Sequence, residues 1–160
     1  RSPSVHRVLG MSNDRGFSNL LAGSDDFDAA LRATSHEHLS VMTSGPLPPN
    51  AAELLTGDRL EYILQALLTR FDNVVIDSPP VMGLADAPLI ASRVEGTVFV
   101  VEAHGIRTRL VRVALGRLAN AHAHILGALL TKFDSKQAHF GYGYEYGYGY
   151  GRTRTNDDAI

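Results

Sequence analysis

The chain contains 160 residues, of which 44% are hydrophobic, so it has the size and composition of one domain with its own core. Its 15 basic and 17 acidic residues nearly cancel, which excludes a strong overall attraction to nucleic acid, a membrane surface or a polyanionic substrate. No cysteine is present, which excludes disulfides and thiolate zinc sites and is consistent with a reducing cytoplasm.

The first half of the chain is predicted to contain short elements and one helix pair. Three glycines interrupt the apolar pieces of residues 1–32, a pattern that predicts loops and short helices. A strand is predicted over Leu39–Thr43, and the proline-rich stretch after it would end it. Asn50 and Glu53 have capping-box spacing, and leucine and isoleucine then recur at helical intervals, so we expect a helix pair over Asn50–Arg70.

Strands and helices are predicted to alternate in the second half. The apolar run Asn73–Asp77, closed by Ser78 and two prolines, predicts a strand buried on both faces. The pattern continues with a helix over Ala85–Arg93, a strand over Gly96–Glu102, a helix over Arg107–Ala121 and a strand over Ile125–Thr131. The predicted fold class is therefore α/β, a parallel sheet sandwiched by helices, with ligands expected at the carboxyl ends of the strands.

Asp77 is the best single candidate for chemistry. It ends an apolar strand, where the magnesium ion of a bound nucleotide and its waters would lie, and a hard cation prefers oxygen ligands. A purely structural alternative is that Asp77 caps the following turn through Ser78, and the pattern alone leaves the two interpretations equal.

The C-terminal segment has a composition of its own. From Gly141 glycine and tyrosine alternate, and a segment so rich in glycine cannot build a core, so we expect a globular part at 1–138 and a flexible tail at 139–160. The tail carries five of the six tyrosines: Tyr142, Tyr144, Tyr146, Tyr148 and Tyr150. Phosphorylation of all five would add about −8 to −10 charges, a strong electrostatic switch. The alternatives are a sticky low-complexity tail and, less favoured because no arginine interleaves with the tyrosines, a nucleic-acid contact.

Two further groups of polar residues each allow a functional and a structural interpretation. Arg107, Arg109 and Arg112 could contact phosphates or a neighbouring subunit, although their spacing also suits a solvated helix face. The His36–His38 and His122–His124 pairs have a spacing that suits metal binding from a strand, but no third ligand is evident. Neither group decides the function.

Several stretches together resemble the bacterial tyrosine kinases of capsule and exopolysaccharide export, the BY-kinases. They are Phe71-Asp-Asn-Val-Val-Ile-Asp-Ser-Pro-Pro-Val81, Ser44-Gly-Pro-Leu-Pro-Pro-Asn-Ala-Ala-Glu-Leu-Leu55, the Asp86-Ala87 pair and the tyrosine tail. The resemblance implies a P-loop NTPase-like fold of the deviant Walker ATPase group. It implies that Asp77 is the Walker B acid, which holds Mg²⁺ through water beside the ATP phosphates, and that the five tail tyrosines are autophosphorylation sites. Arg1 is similar to the arginine of the family's second aspartate motif and would lie near the cofactor.

The chain also departs from the pattern of that family. It contains no Gly-rich Walker A loop with its lysine, and no Walker A′ aspartate; both would precede Arg1, so we expect a chain truncated at its N-terminus. Lys132 and Lys136 lie too late, and outside any Gly-x-x-x-x-Gly-Lys pattern, to replace the missing lysine. Thr131 stands where relatives often place an asparagine near the base. We therefore expect the chain to be inactive alone.

The resemblance implies the C-terminal portion of a protein-tyrosine autokinase that regulates polysaccharide polymerisation and export. Its cofactors would be ATP and Mg²⁺. Its expected partners are other copies of itself, in a ring that phosphorylates tails in trans, and a polysaccharide co-polymerase membrane domain or activator, without nucleic acid. The expected location is the cytoplasmic side of the bacterial inner membrane. Two alternatives stay open: a related ATPase without tyrosine kinase activity, and a non-catalytic substrate or scaffold.

Overall fold

A computed structural model describes residues 3–103 and 105–134 of the chain. The N-terminal part contains three short helices, α1 at Val5–Val8, α2 at Phe17–Leu21 and α3 at Phe27–Ala30, as the glycine-interrupted sequence predicts. Two short strands follow, β1 at Leu31–Ala33 and β2 at Ser40–Met42, and they pair antiparallel. The sequence predicts β2 but not β1.

The predicted helix pair is present as α4 at Ala51–Thr56 and α5 at Arg59–Leu68. The predicted capping box is wrong, because the Asn50 side chain bonds no backbone N–H. Its amide instead donates to the Glu53 carboxylate at 3.4 Å, so the two side chains satisfy each other. The apolar face of α5 is buried, and it forms the first core together with α2, α3 and α4.

The last four elements form a second unit of alternating helices and strands. They are α6 at Asp86–Ala91, β3 at Thr97–Glu102, α7 at Thr108–Asn120 and β4 at Ile125–Thr131, each close to its prediction. Strands β3 and β4 pair in parallel, so the predicted parallel arrangement is confirmed for these two. Phe99 packs against Leu118 and Ala114 of α7 in the second core. Helix α6 joins the cores, since Ile90 belongs to the first and Ala91 to the second.

The prediction of a strand over Asn73–Asp77 is wrong for the described residues. The segment carries no strand hydrogen bonding and pairs with neither two-stranded sheet. Val74 and Ile76 pack against the first core, while Val75 between them is 92% exposed. The alternating burial of a strand is therefore present without the hydrogen-bonded neighbour that a strand requires.

The sheet of β3 and β4 is covered on one side only within the described residues. Phe99 faces α7, whereas Val98 and Val100, which alternate with it, and Leu129, which is aligned with Val100, each keep more than half of their surface exposed. Parallel sheets are normally covered on both faces, so this open face is unusual for the strand type. No helix in the described ranges is long and apolar enough to cross a bilayer.

Candidate functional site

Asp77 lies at the end of the segment that packs on the first core. Val74 and Ile76 hold the segment against that core, and Asp77 itself is exposed. Ile76 therefore fixes the backbone immediately before the carboxylate, while the carboxylate projects into solvent. An exposed carboxylate on an anchored backbone has the oxygen chemistry that a hydrated magnesium ion requires.

The turn after Asp77 is stabilised without its carboxylate. The Ser78 hydroxyl donates to the Pro79 carbonyl oxygen at 3.3 Å. Asp77 forms no hydrogen bond or ion pair with any other residue that the structure describes. The structural alternative, in which Asp77 caps this turn, is therefore not realised, and both carboxylate oxygens are available.

The carboxyl ends of β3 and β4 form an edge where polar groups gather, as expected for a parallel sheet. Glu102 ends β3, and its Oε1 accepts a hydrogen bond from Lys132 Nζ at 2.8 Å. Thr131 ends β4 and donates through its hydroxyl to the Val101 carbonyl at 3.3 Å. The Glu102–Lys132 pair was not predicted, because the sequence places its members thirty positions apart.

Lys132 also has an unusual backbone. Its φ is 53°, in the left-handed region that side chains other than glycine and asparagine seldom adopt. Such conformations are held by surrounding contacts and recur at binding and catalytic sites. Phe133, which follows it, leaves more than half of its ring surface exposed. The combination places a cation and an exposed aromatic ring at this end of the sheet.

Only the family resemblance singles out Asp86 in the sequence, yet its environment in the structure is distinctive. It is the first residue of α6 and is only 5% exposed. It interacts with a neighbouring group, as a buried carboxylate must. The sequence offers one local signal for this position: Asp86 is an acidic residue at the start of a predicted helix, where a negative charge complements the helix dipole.

Other predicted site residues are placed differently. Arg1 and the tail tyrosines Tyr142, Tyr144, Tyr146, Tyr148 and Tyr150 lie outside the described residues. Among the residues within them, no group of three or more potential ligands could hold a metal ion. His36 and His38 are exposed, and the His38 imidazole lies 3.7 Å from the carboxylate of Glu37.

Comparison with known proteins finds bacterial tyrosine kinases among the relatives of this chain, although no family model matches it. It is 34% identical over 144 residues to the tyrosine-protein kinase homologue CapB of Staphylococcus aureus, covering 89% of this chain and 63% of CapB. It is 32% identical over 143 residues to the tyrosine-protein kinase YwqD of Bacillus subtilis, covering 89% of this chain and 60% of YwqD. The chain is a homologue of the bacterial tyrosine kinases.

Solved structures of bacterial tyrosine kinases agree with the sequence comparison. The kinase domain of the Escherichia coli tyrosine kinase Etk superimposes with a TM-score of 0.80 at 29% identity, over 91% of this chain and 58% of that structure. The chimerical protein CapA2B2 gives a TM-score of 0.76 at 32% identity, over 81% of this chain and 57% of that structure. The predicted P-loop NTPase-like fold class is confirmed. The chain spans about six-tenths of the length of these relatives.

Kinase homology implies nucleotide binding with a metal ion, and the described residues fit one part of that requirement. The free carboxylate of Asp77 suits a hydrated divalent cation. The phosphate-binding part is not supplied, because no Gly-x-x-x-x-Gly-Lys pattern occurs anywhere in the 160 residues. A bound nucleotide would need phosphate-binding groups from elsewhere.

Proposed function

We propose that this chain is the C-terminal portion of a bacterial protein-tyrosine autokinase that regulates polymerisation and export of capsule or exopolysaccharide. The observation that carries the proposal is the position of Asp77: an unpartnered, exposed carboxylate that follows an anchored apolar segment in a chain homologous to tyrosine kinases. The chain supplies the acid for magnesium and the tyrosine acceptors.

Each part of the chain has a role in this proposal. ATP with Mg²⁺ supplies the phosphoryl group and neutralises its charge. The backbone held by Val74 and Ile76 positions the Asp77 carboxylate toward the metal's water shell, and such positioning provides most of the catalysis in phosphoryl transfer. The tail tyrosines are the acceptors. Arg1, at the start of the chain, lies near the nucleotide.

The partners and location follow from the same proposal. Copies of the complete kinase assemble as a ring and phosphorylate each other's tails in trans, and the accumulated charge then separates them by repulsion. A polysaccharide co-polymerase membrane domain or activator holds the kinase at the cytoplasmic face of the inner membrane.

Substitution of Asp77 in the complete kinase tests the proposed metal role. We expect Asp77→Asn to lower Mg²⁺-dependent tyrosine phosphorylation by about 100-fold or more, because the variant loses the charge that positions the cation. The measurement is phosphotyrosine formed per minute at several Mg²⁺ concentrations. Asp72→Asn is the matched control, since Asp72 is also exposed and lies five positions earlier, and we expect it to retain activity. Equal activity of the Asp77→Asn variant and the parent protein would refute the assignment.

A second candidate is a non-catalytic substrate or scaffold, which is favoured by the lack of a Gly-x-x-x-x-Gly-Lys pattern in the sequence. The two functions differ in one assay. A scaffold accepts phosphate from an intact kinase added in trans, and Asp77→Asn leaves that transfer unchanged. In the autokinase proposal the complete kinase forms phosphotyrosine without any added kinase, and that reaction depends on Asp77.

A further inference from the structure

Three arginines at the start of α7 have no partner among the described residues. Arg107, Arg109 and Arg112 are all exposed, and none of their guanidinium groups forms a hydrogen bond or ion pair there. Six other arginines in the described ranges bind carboxylates or backbone carbonyls: Arg7, Arg15, Arg59, Arg70, Arg93 and Arg117. Arg32 has no such partner in these ranges either, but it is only partly exposed and its Nε is buried, so it presents no free charge as the three exposed residues do. We call the three unpartnered residues the arginine patch.

The stability of α7 does not explain the arginine patch. The first turn of the helix contains no acidic residue that would pair with Arg109 or Arg112. Positive charge near a helix N-terminus is unfavourable, because the helix dipole is positive there. The like charges of Arg109 and Arg112, one turn apart, also repel each other. An anionic partner would relieve both effects.

An apolar row lies beside these charges. Ile106, Leu110 and Val113 leave about half of their side-chain surface exposed. Leu110 and Val113 share one face of α7, and Arg109 and Arg112 directly precede them in the chain. Inorganic phosphate would use the arginines alone. A phosphotyrosine would use both features, because its ring suits the apolar row and its phosphate suits a guanidinium.

The tail of the same chain meets these requirements. Helix α7 follows β3, and the chain after Asp134 follows β4, so both start from the carboxyl edge of two paired parallel strands about 5 Å apart. Tyr142 is eight residues beyond Asp134, a reach of up to about 29 Å. The patch therefore lies within range of the nearest tail tyrosine, and each further tyrosine reaches farther.

We propose that Arg107, Arg109 and Arg112, with the apolar row beside them, form a docking surface for the phosphorylated tail of the same chain. The proposal rests on the proposed function, which makes the tail tyrosines phosphate acceptors. The guanidinium groups bind the phosphates, and Ile106, Leu110 and Val113 contact the rings. A phosphorylated tail held on its own α7 is removed from neighbouring active sites, so phosphorylation withdraws the acceptor in addition to repelling subunits.

Peptide binding to the 160-residue chain tests this surface without any kinase reaction. Fluorescent synthetic peptides of residues 139–151 carry either phosphotyrosine or tyrosine at 142, 144 and 146, and anisotropy reports binding. We expect the phosphorylated peptide to bind, with an affinity that falls as the salt concentration rises. The unphosphorylated peptide should bind at least about ten-fold more weakly. Equal binding of the two peptides overturns the proposal. Because the phosphates are synthetic, the result does not depend on whether the protein is an active kinase.

Matched charge variants distinguish peptide binding at the arginine patch from nonspecific electrostatic attraction between the anionic peptide and the protein. Arg107→Gln with Arg109→Gln and Arg112→Gln should lower the affinity by about ten-fold or more, because the phosphate contacts are lost. Arg7→Gln with Arg15→Gln and Arg70→Gln removes the same charge elsewhere and should leave affinity within about two-fold. An equal loss in both variants overturns the proposal. Circular dichroism verifies that each variant is folded. If the Gln variant does not fold, Arg→Lys at the three patch positions replaces it; this variant retains the charge but loses the planar guanidinium, and we expect its affinity to be intermediate.

The chain with a phosphorylated tail, made by ligation of a synthetic tail segment, tests docking within one molecule. We expect it to exclude the labelled peptide and to associate no more than the unphosphorylated chain does at the same concentration, because its own tail occupies the surface. Additional dimers that form only after phosphorylation and grow with concentration would contradict docking in the same chain. Unchanged peptide binding to the phosphorylated chain would contradict it as well.

Discussion

Asp77 and Asp86 lie nine residues apart and have opposite environments. Asp77 is exposed and has no partner among the described residues, whereas Asp86 is 5% exposed and interacts with a neighbouring group. An exposed, unpartnered carboxylate contributes little to folding and is available to a ligand. A buried, engaged carboxylate contributes to folding, because its removal leaves its partner without a bond.

Stability measurements on two variants distinguish these roles. We expect Asp86→Ala to lower the free energy of unfolding by about 1–3 kcal/mol, because a buried group loses its partner. Asp77→Ala should change it by less than about 0.5 kcal/mol, as for an exposed residue without contacts. Urea denaturation of the 160-residue chain gives both values. A larger loss for Asp77→Ala than for Asp86→Ala would show that Asp77 is structural.

At the residue scale, the sequence alone singles out a candidate ligand residue, but it does not predict which distant residues come into contact. Asp77 could be singled out because an aspartate after an apolar run is a local pattern. The Glu102–Lys132 pair and the left-handed backbone of Lys132 could not, since both depend on the alignment of β3 with β4. The proposed roles of Asp77, Arg1 and the tail tyrosines remain predictions.

At the scale of elements, Arg59 of α5 holds the segment between α2 and α3. Its guanidinium donates to the Leu20 carbonyl at 2.8 Å, to the Ser24 carbonyl and to the Asp25 carboxylate. It also lies 4.7 Å from the ring centre of Tyr62. One side chain therefore ties α5 to the end of α2 and to the loop that leads to α3.

Arg59→Ala should lower the free energy of unfolding by about 2–3 kcal/mol, because half-buried carbonyls lose their donors. Arg70→Ala is the matched control. Arg70 also pairs with an aspartate, at 2.7 Å from Asp28, but both side chains are well exposed, so the expected loss is below about 1 kcal/mol. Equal losses in chemical denaturation would contradict the anchoring role of Arg59.

At the scale of elements, the prediction of α5 from a local pattern is confirmed, whereas the prediction of a strand that needs a distant hydrogen-bonded partner is wrong. The helical periodicity of Leu60, Ile63, Leu64 and Leu67 is local, and α5 forms where it predicts. The apolar run over Asn73–Asp77 also suggests a strand, but strand formation depends on a hydrogen-bonded neighbour that no local pattern identifies. The three-residue β1 was missed because it is too short to show alternation.

At the scale of the whole molecule, the open face of the β3–β4 sheet is an unusual surface of the part that the structure describes. Val98, Val100 and Leu129 expose apolar area on this face, in a strand type that is normally covered on both sides. A contiguous apolar surface of this kind favours association.

Replacing two of these side chains tests this surface. We expect Val100→Thr with Leu129→Thr to reduce concentration-dependent association and binding of an apolar dye, while the unfolding free energy changes by less than about 1 kcal/mol. Phe99→Ala on the covered face should instead lower stability by about 3 kcal/mol or more. Sedimentation and dye fluorescence give the comparison. Unchanged association in the double variant would contradict the role of the open face.

Mass-spectrometric mapping of phosphotyrosine in the complete kinase, after incubation with ATP and Mg²⁺, tests the central proposal most directly. The expected result is phosphate on Tyr142, Tyr144, Tyr146, Tyr148 and Tyr150 in the parent protein, and none when all five are replaced by phenylalanine. Phosphotyrosine that persists in the five-fold variant, or its complete absence from the parent protein, would contradict the proposal that this chain carries the acceptors of a tyrosine autokinase.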